Sequence, residues 1–121
     1  MTVNRGIAYI KDSAMMKDPR MQYVVGMIKN MWNPANDFRF RNAPEEYFEN
    51  EKKEYELNKR IVKLLHQGGV KLLAGTDTPN PYCFPGFALH DEMQIMVESG
   101  LTPAQVTVVP RAAWLVFPPA N

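Results

Sequence analysis

Apolar residues recur at helical intervals over three stretches of the chain. Met21, Val24, Val25, Ile28, Met31 and Trp32 fall at i, i+3, i+4, i+7, i+10 and i+11. That spacing predicts an amphipathic helix over about 19–32, opened by Asp18 as N-cap with Pro19 in the first turn and closed at Asn33-Pro34. Gly26 weakens it by about 1 kcal/mol relative to alanine. Asn42-Ala43-Pro44-Glu45 resembles an N-terminal cap, glutamate following asparagine by three residues. The helix behind it runs to about Gln67, and its second half carries Leu57, Ile61, Leu64 and Leu65 on one stripe. Gly68-Gly69 ends it, glycine accepting the left-handed C-terminal turn. Leu89, Met93, Met96 and Val97 predict a further helix over about 88–99, closed by Gly100. Thr102-Pro103-Ala104-Gln105 is a capping box that opens another.

The other apolar residues do not follow that period. Residues 6–10 read as a short strand. Residues 33–42 form a polar and aromatic linker, with Phe38 and Phe40 tucked under it. Residues 70–74 are too short for a helix and follow a helix stop at once, so they read as a buried strand. Helix, glycine pair and strand make the αβ half of a βαβ unit, which implies a parallel neighbour. The run 70–77, Val-Lys-Leu-Leu-Ala-Gly-Thr-Asp, delivers one carboxylate at the strand's C-terminal end. A loop stiffened by Pro79, Pro81 and Pro85 comes next. The tail 106–121 is atypical: Val106-Thr107-Val108-Val109 is β-branched throughout and Pro110 breaks an interior turn, against the start signal at Thr102.

Composition narrows the class. A chain of 121 residues reads as one domain with a real core, burying roughly two-thirds of its unfolded surface. A net charge of +1 offers no electrostatic case for nucleic acid or an anionic membrane. The Glu/Lys run at 49–54 is a solvated helix face. Cys83 is the single cysteine, which excludes an intrachain disulfide and fits a reducing compartment. No apolar run approaches the roughly 20 residues of a membrane span, and the N-terminus lacks a signal-peptide core. The expected location is cytoplasmic.

Asp77 is the first candidate for chemistry, because parallel barrels work at the C-terminal ends of their strands. The bland alternative is a loop aspartate that turns the chain. Two histidines accompany it. His90 opens a helix on the same side as the loop and either meets a substrate or metal or bonds to that loop. His66 closes a helix, where a cation favours the dipole. Thr78, Asn80 and Phe87 either line an active-site rim and contact substrate or simply pack the loop. Cys83 has no neighbouring base to make it a nucleophile.

Three segments carry a family resemblance: Leu-Leu-Ala-Gly-Thr-Asp-Thr-Pro-Asn-Pro, Pro-Gly-Phe-Ala-Leu-His-Asp-Glu-Met and Glu-Ser-Gly-Leu-Thr-Pro-Ala-Gln. They resemble the last strand, loop and helix of the amidohydrolase superfamily, in the branch of imidazolonepropionase-like and metal-dependent dipeptidase-like enzymes. Leu-Leu-His-Gln-Gly-Gly-Val is similar to the end of the helix before the final barrel strand. The likeness covers about 42–105, extends back to about 15, and lapses after Gln105. It implies part of a (β/α)8 barrel that binds one or two divalent metals, usually zinc, and hydrolyses amide or cyclic amide C–N bonds. In such enzymes the aspartate closing the last strand binds metal and takes a proton from the attacking water, the position that Asp77 occupies. The family's other ligands, a His-x-His pair, a lysine or glutamate and two further histidines, have no counterpart here.

The expected fold is therefore α/β: a partial (β/α)8-barrel segment, helix-rich, with one or a few parallel strands. An unpaired strand exposes backbone donors and acceptors, each worth about 1–3 kcal/mol if buried unpartnered. Self-association, or pairing with the missing part of a barrel, is expected. Two functions follow. One is a segment of a metal-dependent C–N hydrolase, inactive alone, whose missing ligands lie elsewhere. The other is a non-catalytic fragment serving as an oligomerisation or binding module.

Overall fold

The computed structural model describes residues 1–106. Five α-helices lie wholly within that part of the chain: α1 (Thr2–Ala8), α2 (Ser13–Met16), α3 (Gly26–Met31), α4 (Glu45–Gln67) and α5 (Ala88–Glu98), and residues 103–106 are helical too. A 3-10 turn, Pro19–Tyr23, lies between α2 and α3. No helix among the described residues is long and apolar enough to cross a membrane.

Helices α4 and α5 lie where the apolar period places them. Helix α4 starts without a side-chain cap, Pro44 being the boundary residue, and two glutamates in its first turn favour the positive end of the dipole. Gly69 follows it at φ 79° and Gly100 follows α5 at φ 105°. The Thr102 box forms as read: Thr102 N–H donates to Gln105 Oε1 at 2.8 Å, and Gln105 N–H to Thr102 Oγ1 at 3.3 Å. Apart from Val106, the atypical tail lies outside the described residues.

Three expectations are overturned. The α/β fold class is the largest: among the described residues there is no strand, so no parallel sheet and no barrel segment. The run 70–74 keeps a strand's alternation, Leu72 and Ala74 turning inward while Lys71 and Leu73 face out. Its inward side chains pack on Met96, Leu101 and Val106. A ladder, however, needs a second strand to receive its hydrogen bonds, and the nearest elements are helices. Residues 6–10 are likewise not a strand, since helix α1 runs through Ala8. The helix read over 19–32 is broken: Val24 and Val25 are extended, at ψ 129° and 150°, between the 3-10 turn and α3. Two adjacent β-branched residues followed by Gly26 lower the helical preference at that point.

The main core joins Ile10, Val24, Trp32, Phe40, Phe48, Tyr82 and Phe84, so the 33–42 linker and the 78–86 loop both enter it. Helix α1 packs against α4 and α5. It lies so close to the proline loop that a Cβ on Gly6 would sit 2.2 Å from the Pro81 carbonyl oxygen. Charged groups fasten the start of α5. Arg20 Nη1 donates to both Asp91 oxygens at 2.8 Å, and Arg5 Nη2 reaches Asp91 at 2.9 Å. Arg20 also grips Asp18 through Nε and Nη2. Buried Glu92 accepts from the Thr2 N–H at 2.7 Å and from the Thr2 hydroxyl.

Candidate functional site

The predicted residues divide into two groups. Asp77, Thr78 and Asn80 share one tight turn. Asp77 is exposed and holds φ 50°, a left-handed conformation that aspartate tolerates through local hydrogen bonds. Asn80 supplies them: its Nδ2 donates to the Asp77 carbonyl at 2.8 Å and to Asp77 Oδ2 at 2.9 Å, while its own N–H meets that carbonyl at 3.2 Å. Thr78 Oγ1 lies 3.2 Å from Thr76 Oγ1 and donates to the Cys83 carbonyl at 3.4 Å. The Thr78–Pro79 peptide is cis.

Phe87 and His90 belong elsewhere, at the entry to α5. The Phe87 ring stacks on Tyr23, centroids 5.9 Å apart. His90 is exposed, and its N–H donates to the Phe87 carbonyl at 2.9 Å. The metal set that the resemblance implies is not assembled. Among the described residues no three of His, Cys, Asp and Glu are grouped to hold an ion, whereas catalytic zinc sites generally use three protein ligands. Asp77 instead has a carboxamide against its carboxylate. Cys83 is buried, and burial pushes its thiol up to about 11, so it is held protonated and unreactive.

One member of the first group borders a cavity. A groove of about 420 Å³ opens between the turn at 36–39 and the proline turn, with Trp32, Phe38, Arg39, Pro79, Asn80 and Pro81 among its walls. Trp32 is buried and fixed twice: its indole N–H donates to the Pro79 carbonyl at 2.9 Å, and its ring meets Tyr82 and Phe84 at 5.6 and 5.5 Å. The opposite wall rests on an ion pair. Arg39 Nε and Nη2 grip the buried Asp37 carboxylate at 3.0 and 2.7 Å, and the Arg39 N–H adds a bond of 2.9 Å. The hydrogen bond from Arg39 holds the Asp37 carboxyl below the usual carboxylate range.

That turn presents Phe38 to solvent. Its side chain is 81% exposed, the most exposed large apolar residue described, while Phe40 is buried. The linker reading placed both rings inward, and only Phe40 is there. Trp32, Asp37, Phe38 and Arg39 escaped the sequence reading as site residues. The available signal was Asp-Phe-Arg-Phe itself: an aspartate two residues before an arginine closes a turn, and residues 38 and 40 then point to opposite sides. No protein-family model, curated protein or solved structure matches this chain.

Proposed function

We propose that the chain is a non-catalytic, amidohydrolase-derived binding module that takes a small planar, uncharged ring in the groove beside Asn80. The observation that carries this reading is the exposed Phe38 ring, which lines one groove with Trp32, Pro79 and Pro81. An aromatic face open to water gains stabilisation when a flat ligand covers it. The cavity volume falls in the range of small-molecule sites, which combine apolar walls with a few polar groups. The local charges, Asp37 and Arg39, already neutralise one another, which favours an uncharged ligand. Descent from an amidohydrolase rests on the sequence motifs around Asp77. The capture of Asp77 by Asn80 supports the non-catalytic side of the proposal.

Saturation-transfer NMR on the full chain, with indole, quinoline and adenine as probes, tests this. Transfer is expected to at least one probe, weakened at least fivefold in Phe38→Ala and unchanged in Asp77→Asn. Absence of transfer, or transfer indifferent to Phe38→Ala, overturns it. The hydrolase reading retains one specific observation, an exposed Asp77 carboxylate on a strained turn. It requires calorimetric zinc binding that Asp77→Asn abolishes.

A further inference from the structure

Two carboxamides in the groove wall have their orientation fixed by their neighbours. Asn80 Nδ2 carries two hydrogens, and both are committed, to the Asp77 carbonyl at 2.8 Å and to Asp77 Oδ2 at 2.9 Å. Turned over, this amide would set its oxygen against two acceptors. Asn36 is held in the same way: its Nδ2 donates to the Asn30 carbonyl at 3.3 Å and to Asn30 Oδ1 at 2.6 Å. A backbone carbonyl cannot donate, so this amide does not reverse either. Both residues line the groove, and in both the amide oxygen is the atom left over. Among the described residues no hydrogen bond reaches Asn36 Oδ1 or Asn80 Oδ1. Arg39 adds a donor to the same wall. Its Nε and Nη2 hold the Asp37 carboxylate, which leaves the Nη1 hydrogens over.

We propose, resting on this groove as the binding site, that its ligand is an amino-substituted nitrogen heterocycle. The ligand's exocyclic N–H groups donate to Asn36 Oδ1 and Asn80 Oδ1, and a ring nitrogen accepts from Arg39 Nη1. The flat ring covers Phe38 in the groove that Trp32, Pro79 and Pro81 also line.

The leftover acceptors are what select an amine. A carbonyl or carboxylate substituent in its place would set oxygen against the two amide oxygens. A bare ring would displace water from them and give no donor in return, leaving each acceptor unsatisfied. A site built to hydrogen-bond an N–H therefore discriminates against the analogue that lacks it.

Matched pairs test this: quinoline against 3-aminoquinoline, and purine against adenine, each titrated into the full chain with Kd read by ligand-observed NMR. The rings within a pair have nearly the same apolar area, so the difference in affinity reads the added amine. The amino member is expected to bind roughly threefold tighter or more in both pairs. Equal binding within the pairs overturns this proposal and leaves the groove itself as a binding site. If no member of either pair binds, both fall. The variant Asn36→Leu keeps the residue's approximate volume and removes Oδ1, whereas Asn80 stays in place because its amide also holds the Asp77 turn. Asn36 is exposed and outside the core, so Asn36→Leu should leave quinoline binding unchanged and cut the preference for the amino member at least twofold. A preference that survives Asn36→Leu overturns the proposal.

Discussion

Gly6 shows how one residue sets the distance between two parts of the molecule. Inside a helix, glycine is about 1 kcal/mol worse than alanine, so propensity alone argues for replacing it. The Pro81 carbonyl oxygen, 2.2 Å from the Cβ position, argues the other way, because a backbone oxygen cannot rotate aside. Overpacking of this kind costs about 1–3 kcal/mol and outweighs the propensity gain. Gly6→Ala should therefore lower the urea midpoint. Gly26 lies in α3 with no atom within 4 Å of a Cβ, so Gly26→Ala should raise stability by about 0.5–1 kcal/mol. A Gly6→Ala midpoint that rises, or that shifts as the Gly26→Ala midpoint does, would refute this account of the α1 contact. The same scale explains why Asp77 was legible and its partner was not. A lone Gly-Thr-Asp marks a carboxylate, but nothing in its neighbours states that Asn80 turns back onto it.

Among the elements, α4 separates pattern from packing. The apolar stripe that announces the helix, Leu57 to Leu65, faces away from the described core, while the aromatic residues Phe48 and Tyr55 hold the helix in place. Phe48 is 2% exposed, meets Tyr47 edge-on at 5.2 Å, and lies under Lys11 Nζ at 4.0 Å. Phe48→Ala should cost about 3–5 kcal/mol in chemical denaturation. Leu57→Ala should cost less than about 1.5 kcal/mol, since the described part of the chain makes little use of its side chain. Similar losses at the two positions would place both faces in one core and remove the asymmetry. Periodicity found this helix because i, i+4 spacing follows from helical geometry. It left open which side is buried, because an apolar stripe says that a face seeks cover without saying what provides it.

For the whole molecule, stability rests partly on carboxylates held by arginines. Asp37 and Asp18 are both depressed, chiefly by hydrogen bonds from Arg39 and Arg20 respectively. Each folded value lies below the unfolded one, near 3.9, so the sign is fixed. The stabilisation is fully present above about pH 4 and is lost as pH falls through the folded values. Helical circular dichroism against pH should show an acid transition that Asp37→Asn makes shallower, since asparagine keeps an acceptor for the Arg39 N–H and loses the charge. An acid limb unchanged in Asp37→Asn would remove the Asp37–Arg39 pair from the account.

The amino-acid order alone determined α4, α5, their glycine stops and the Thr102 box, because those hydrogen bonds close within a few residues of themselves. Only the tertiary structure decided the rest. Residues 70–74 had the composition of a strand, yet a ladder needs partner backbone that helices do not offer. Val24 and Val25 had helical spacing, yet they extend to bring Trp32 beneath Pro79. The groove beside Asn80 joins turns more than forty positions apart in the chain, and a contact made at that separation leaves no periodic trace in either segment.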